Sequence, residues 1–149
     1  MRLQLILFFF ILFNINSLAS NKDYFLMLKN STVNVRYGPS FEYPIKFIYK
    51  KKFLPLKIID KKENFRKIID HKNNSGWIHI SQLQKGMSLI TLKDSNIFKK
   101  ASKFSKPIVK VKKGRLLLIE KCEKDWCKIK TGSYSGWVEV KKLWGRDIN

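Results

Sequence analysis

The chain has little of what most active sites are built from. It holds two cysteines, two histidines and seven glycines in 149 residues. His71 and His79 stand well apart in sequence from Cys122 and Cys127, so no four-ligand metal spacing can be read. No glycine-rich run is present to cradle a phosphate, and no serine sits in a nucleophile elbow. Acids number 11 against 31 Lys and Arg, a thin supply for a pair of catalytic carboxylates. These shortages predict a protein with no metal, no cofactor and no catalysis of its own.

What is present begins at the N-terminus. Arg2 precedes an unbroken apolar run from Leu5 to Phe13, and Ser17-Leu18-Ala19 offers small residues before a cut. That layout predicts a signal peptide over residues 1–19, cleaved after Ala19, and an exported, periplasmic product. The rival is a retained anchor, but nine apolar residues closed by Asn14 and Asn16 fall short of the ~20 that a spanning helix needs. No later stretch is long and apolar enough to replace it, so no transmembrane anchor is expected after cleavage. Export also changes how cysteines are read, because an exported pair is more often a disulfide than a thiol or metal site.

The formal charge is +20, or +19 once Arg2 leaves with the signal. Such a chain attracts anionic surfaces. The excess is mostly Lys, however, in company with Ile, Asn and Phe, which share A/T-rich codons. The lysines are scattered in ones, twos and threes, so base composition is the leading account of the charge, ahead of a polyanionic partner.

Laid over itself, the chain repeats. Ser75-Gly76-Trp77-Ile78 and Leu83 match Ser135-Gly136-Trp137-Val138 and Leu143 at an offset of 60. Asn64 to Ile68 match Asp125 to Ile129 at 61, Asn34-Val35 match Asn96-Ile97 at 62, Pro44-Ile45 match Pro107-Ile108 at 63, and Leu28 to Ser31 match Leu92 to Ser95 at 64. A constant order with a drifting offset is the mark of a duplication with small changes in turns. Within each copy, short stretches alternate with period two between polar clusters, and no helical stripe outlasts a turn. About five short strands per copy predict an all-β fold of two small antiparallel barrels, residues 24–84 and 87–145. A 60-residue unit is marginal alone, and almost no linker separates the two, so a rigid tandem is expected.

These residues resemble the bacterial SH3 domain family, in a two-domain form found in exported proteins of Gram-negative bacteria. In the first copy the resemblance rests on Asn34-Val35-Arg36, Gly38-Pro39-Ser40, Tyr43-Pro44-Ile45, Lys50 to Lys52 before Leu54-Pro55, Phe65 to Asp70, and Gly76 to His79. In the second it rests on Cys122, Asp125-Trp126-Cys127, Gly136-Trp137-Val138 and Leu143-Trp144-Gly145. The resemblance implies SH3-like barrels used for binding, often of cell-wall material or a protein partner. Two departures stand out. Phe53 occupies a place where a turn glycine is usual, and the second copy lacks the Arg-x-Gly-Pro signature.

Several residues then take expected roles. Arg36, Tyr37, Tyr43, Tyr49 and Phe53 gather around the Gly38-Pro39 turn and the Lys50 run, and suit a sugar ring or an extended acidic peptide. Trp77 and Trp137 are expected to plug the barrels while Gly76 and Gly136 permit close backbone approach, with ligand contact as the alternative. Phe65 and Trp126 belong to core or rim. Cys122 and Cys127 flank a turn, where facing Cα atoms ~4.5 to 5.5 Å apart suit a disulfide. That bridge is the leading reading and a reduced pair the next. The first copy aligns there at Ile59 and Arg66, without thiols.

An enzyme is disfavoured further by chain order: both histidines precede both cysteines, the reverse of a cell-wall cysteine peptidase. The expected function is a periplasmic binding module for cell-wall glycan or its stem peptides. The alternative is an adaptor that holds an extended segment of an envelope protein. Nucleic acid would fit the charge alone, but export argues against it.

Overall fold

The computed structural model describes residues 23–146; the expected signal segment and its cut lie outside them. The first unit has seven strands: β1 (Tyr24–Leu28), β2 (Val33–Arg36), β3 (Ile45–Tyr49), β4 (Pro55–Lys62), β5 (Phe65–Ile69), β6 (Ser75–His79) and β7 (Leu83–Gln84). The second repeats them as β8 (Ser88–Thr91), β9 (Ser95–Phe98), β10 (Pro107–Val111), β11 (Leu116–Glu123), β12 (Trp126–Thr131), β13 (Tyr134–Glu139) and β14 (Leu143–Trp144). A single 3-10 turn precedes the last strand of each, at Ile80–Gln82 and Val140–Lys142. Among the described residues no helix is long and apolar enough to cross a membrane.

Each unit is one antiparallel sheet. The orders are β3-β2-β6-β5-β4-β1-β7 and β10-β9-β13-β12-β11-β8-β14, the same path taken twice. Seven strands rather than five appear because the two-residue β7 and β14 are too short to show a period, and β3, with Ile45, Lys46 and Ile48 all exposed, shows no clean apolar–polar alternation.

Strand pairing corrects the offsets. Arg36 faces Ile45 as Phe98 faces Pro107, and Val33 faces Tyr49 as Ser95 faces Val111, so 62 holds throughout this hairpin. Pro44 therefore corresponds to Lys106, not Pro107. Leu28 faces Leu83 as Thr91 faces Leu143, which makes the first-strand offset 63. The counterparts of Cys122 and Cys127 are Lys61 and Arg66, which face each other, rather than Ile59 and Arg66. Matching by residue identity slid these short segments by one or two places. Hydrogen-bond register cannot slide without turning every side chain to the other face.

The duplication reaches the backbone. Glu63 and Lys124 have φ of 47° and 51°, and Phe53 and Gly114 have 63° and 81°. Two turns keep their left-handed residue in both units while the residue type changes; the turn between β5 and β6 is one residue longer than that between β12 and β13, and its left-handed Asn73 and Gly132 stand at different places in it.

Each core is filled from alternate strand positions. Val33, Val35, Leu56, Ile58, Ile68 and Ile78 fill the first; Leu89, Ile97, Leu117, Cys127, Ile129 and Val138 fill the second. Three residues join Gln84 to Ser88, and the cores run together across that seam. Ile90 of β8 is buried in the first core, and Leu116 and Trp144 pack against it. The Trp144 indole N–H donates to Pro55 O at 3.1 Å, and its ring meets Phe25 edge-on at 5.3 Å. Ser88 Oγ donates to Phe53 O at 2.7 Å. The units form a tandem joined by shared core.

Candidate functional site

The Gly76-Trp77 pair shows how the local sequence sets the site. A Cβ on Gly76 would collide with Val35, and one on Gly136 would stand 2.7 Å from both Ile97 Cγ2 and Phe98 O. Each glycine therefore marks a close crossing and points inward. Because successive side chains in a strand alternate, the tryptophan after it must point outward. Trp77 and Trp137 are half-buried on the outer sheet face, while Ile78 and Val138 fill the core. The expectation that the tryptophans plug the barrels is thus overturned by the same glycines that were read correctly. That signal was available in the sequence.

On this outer face Trp77 lies between Arg36 and Lys67, its partners on β2 and β5. Beside it Phe65 faces His79 across strands, ring centroids 5.2 Å apart. Phe41 folds back over both, 5.1 Å from Phe65 and 5.0 Å from His79. Arg36 closes the group: its guanidinium stands 5.5 Å from the Phe41 ring centre and donates to Tyr43 O at 2.7 Å. The Tyr43 ring covers Gly38, where a Cβ would stand 2.5 Å from it. Lys46 Nζ lies 5.6 Å from the Tyr37 ring centre. Tyr37, Phe41 and Tyr43 remain exposed, at 61, 64 and 47%. Flat rings interleaved with fixed cations can stack on a sugar or a peptide plane and meet its acidic groups.

Of the five expected contact residues, Arg36, Tyr37 and Tyr43 come together here. Tyr49 and Phe53 do not. The Tyr49 hydroxyl turns inward and donates to Asp70 Oδ2 at 2.9 Å. Burial, followed by the neighbouring Asp70 charge, raises its pKa beyond the ordinary phenol range. Asp70, 2% exposed, also accepts from Asn74 Nδ2 and from the N–H groups of Lys72 and Asn74. Burial pulls its carboxyl upward, but the hydrogen bonds from Asn74, Lys72 and Tyr49 outweigh it and hold the pKa below the ordinary value. Phe53 lies at the seam. Phe41 and His79 were missed, since their meeting depends on the loop folding back over β5 and β6.

The second unit places Phe98, Lys103, Trp126, Trp137 and Glu139 at the positions of Arg36, Phe41, Phe65, Trp77 and His79. Lys103 pairs with Glu139 at 3.2 Å, Phe98 meets Trp126 edge-on at 5.7 Å, and Lys121 Nζ stands 5.2 Å from the Trp137 ring centre. The first unit's arginine and exposed aromatic loop are not repeated. Ser102 makes the same turn as Ser40, with Oγ accepting from Phe104 N at 3.2 Å where Ser40 accepts from Glu42 N at 3.0 Å. Phe104, fully exposed, thus stands where the first unit has Glu42.

Cys122 and Cys127 face each other across β11 and β12 and are joined by a disulfide. Among the described residues no three His, Cys, Asp or Glu lie close enough to share a metal ion.

A family model described as "Bacterial SH3 domain" matches residues 29–85 and again 93–145. The chain belongs to the bacterial SH3 domain family. The two matches fall on the two sheets, so this bacterial SH3 chain carries its family's domain twice. Among solved structures it is similar to NlpC2 of Trichomonas vaginalis, at 14% identity and a TM-score of 0.39, over 83% of this chain and 48% of that one. NlpC1 of the same organism gives 13% identity and a TM-score of 0.39, over 83% and 46%. The chain spans less than half the length of either. No curated protein matches it in sequence.

Proposed function

We propose that this tandem bacterial SH3 protein is an exported, non-catalytic binding module for peptidoglycan, held in the periplasm after cleavage at Ala19. Its SH3-like barrels present a ligand surface on the first unit. The observation that carries this reading is the exposed row of Tyr37, Phe41 and Tyr43 clasped by Arg36 and Lys46. Such rings suit the faces of wall sugars, and the cations suit stem-peptide carboxylates. Co-sedimentation with purified sacculi tests it. Retention at physiological salt, weakened at least about tenfold in a folded Tyr37→Ala/Phe41→Ala/Tyr43→Ala variant, is expected if a few aromatic anchors dominate. Binding confined to low salt and indifferent to the three rings would reject it.

A second reading draws on β3. This edge strand pairs only with β2 among the described residues, and Ile45 and Ile48 are 44 and 47% exposed. An extended envelope-protein segment could add to that edge by main-chain hydrogen bonds. Protein-free sacculi would then fail to bind, and a salt-resistant envelope partner would be lost on Ile48→Pro.

A further inference from the structure

The seam between the units contains a second, different surface. A groove of about 540 Å³ lies there, lined by Lys51 of the first unit and by Arg115, Leu116, Leu118, Lys130 and Gly132 of the second. Lys51 reaches across and donates from Nζ to Gly114 O at 3.1 Å. Arg115 is held in place: its Nε donates to Thr131 Oγ1 at 2.8 Å, and that buried hydroxyl is itself 3.2 Å from Leu116 O. Its two terminal nitrogens have no partner among the described residues, so an oriented guanidinium fork is left open to the groove.

We propose that this groove binds an anionic ligand, whose carboxylate or phosphate group is held by the Arg115 fork and the Lys51 ammonium. The body of the ligand rests on the apolar floor of Leu116 and Leu118. A planar fork fixed before binding loses little freedom on meeting an oxyanion, which favours bidentate contact.

The charge around the groove supports this. Lys51, Lys72, Lys113 and Arg115 make no ion pair among the described residues, whereas Lys130 is paired with Glu120 at 3.3 Å. The acid nearby, Asp70, is buried and its oxygens are already engaged. Burial, then Arg115 and Lys72, lower the pKa of Lys51. Burial also lowers that of His71, and Lys72, Lys51 and Lys113 add to it against an opposite pull from Asp70. Like charges gathered without a counter-charge are relieved by an anion.

Among the described residues the site exists once. In the first unit the counterparts of Gly114, Arg115 and Thr131 are Phe53, Leu54 and Asp70, which supply no cation. A role for the tandem itself follows, since neither unit alone holds both Lys51 and Arg115. This inference does not depend on the wall-binding reading and would survive its failure.

The purified protein, labelled for NMR, would be titrated at physiological salt with inorganic pyrophosphate and separately with glutarate. Saturable shifts centred on Gly114, Arg115 and Gly132 are expected with at least one probe. Arg115→Gln and Lys51→Gln should each weaken it about tenfold, the scale of one lost charged hydrogen bond. A Lys99→Gln/Lys100→Gln variant, with more charge removed outside the groove, should bind as before. Pyrophosphate alone saturating would identify a phosphate ligand, and glutarate alone a carboxylate. Unsaturable shifts spread over the surface lysines, or equal weakening in the Lys99/Lys100 variant, would overturn the proposal.

Discussion

Phe53 and Gly114 hold the same place in the two repeats and the same left-handed backbone, φ 63° and 81°, yet one carries a large side chain. A Cβ on Gly114 would meet nothing within 4 Å, so conformation alone opposes a side chain there. Gly114→Ala should therefore cost about 1 kcal/mol in denaturant unfolding, the usual penalty for the left-handed region. Phe53→Gly relieves the same strain and loses a half-buried ring, so a net change within about 1 kcal/mol is expected. A loss well above that would mean that ring packing at the seam, not the turn, selects Phe53.

The Tyr49–Asp70 pair makes the first unit acid-sensitive. Asp70 has a lowered pKa when folded, so its stabilising share is present above the unfolded value of about 3.9 and is lost as pH falls through the folded one. Stability measured from pH 6 downward should fall in that acid range, and less steeply in Asp70→Asn. Asp70→Ala should cost about 2 kcal/mol or more at neutral pH, because buried donors lose their acceptor. An unchanged acid limb in Asp70→Asn would assign it to other carboxylates. Asp94, held low chiefly by a hydrogen bond from Lys112, is one of these.

The disulfide should stabilise without being required. Lys61 and Arg66 face each other in the first unit around the same left-handed turn with no bridge. Cys122→Ala/Cys127→Ala should lose about 2 kcal/mol, the chain-entropy estimate for so short a loop, and keep the fold. Reduction of the parent protein should give a similar loss. Loss of the folded spectrum would show that the second unit depends on the bridge.

Trp144 couples the units through Pro55 O and Phe25. Trp144→Ala should cost about 3 kcal/mol and broaden or split a single unfolding transition, since it removes aromatic packing across the seam. One sharp transition at unchanged stability would place the coupling in Ile90 and Leu116 instead.

Much of this was legible beforehand for a local reason. Period-two alternation, polar turns and a repeated Ser-Gly-Trp reside in a few adjacent residues each, so they reveal strands, duplication and a cysteine hairpin without knowledge of what packs where. Arg36, Tyr37 and Tyr43 lie near one another because one turn holds them. Proximity in sequence groups Tyr49 and Phe53 with them, but the fold separates both. Tyr49 sits at the far end of a strand with its hydroxyl on Asp70, and Phe53 belongs to a boundary that exists only once the second unit has docked.

The amino-acid order by itself determined that the two repeats are built of strands, that they are one unit written twice, and that a close strand crossing falls at each Gly-Trp. Tertiary structure alone decided which cations are left unpaired, which aromatics share a surface, and how the two cores merge through Ile90, Leu116 and Trp144. The division has a physical basis: alternation and turn chemistry act over a few residues. Contacts such as Lys51 with Gly114 join positions 63 apart, and the intervening chain must fold before they can form.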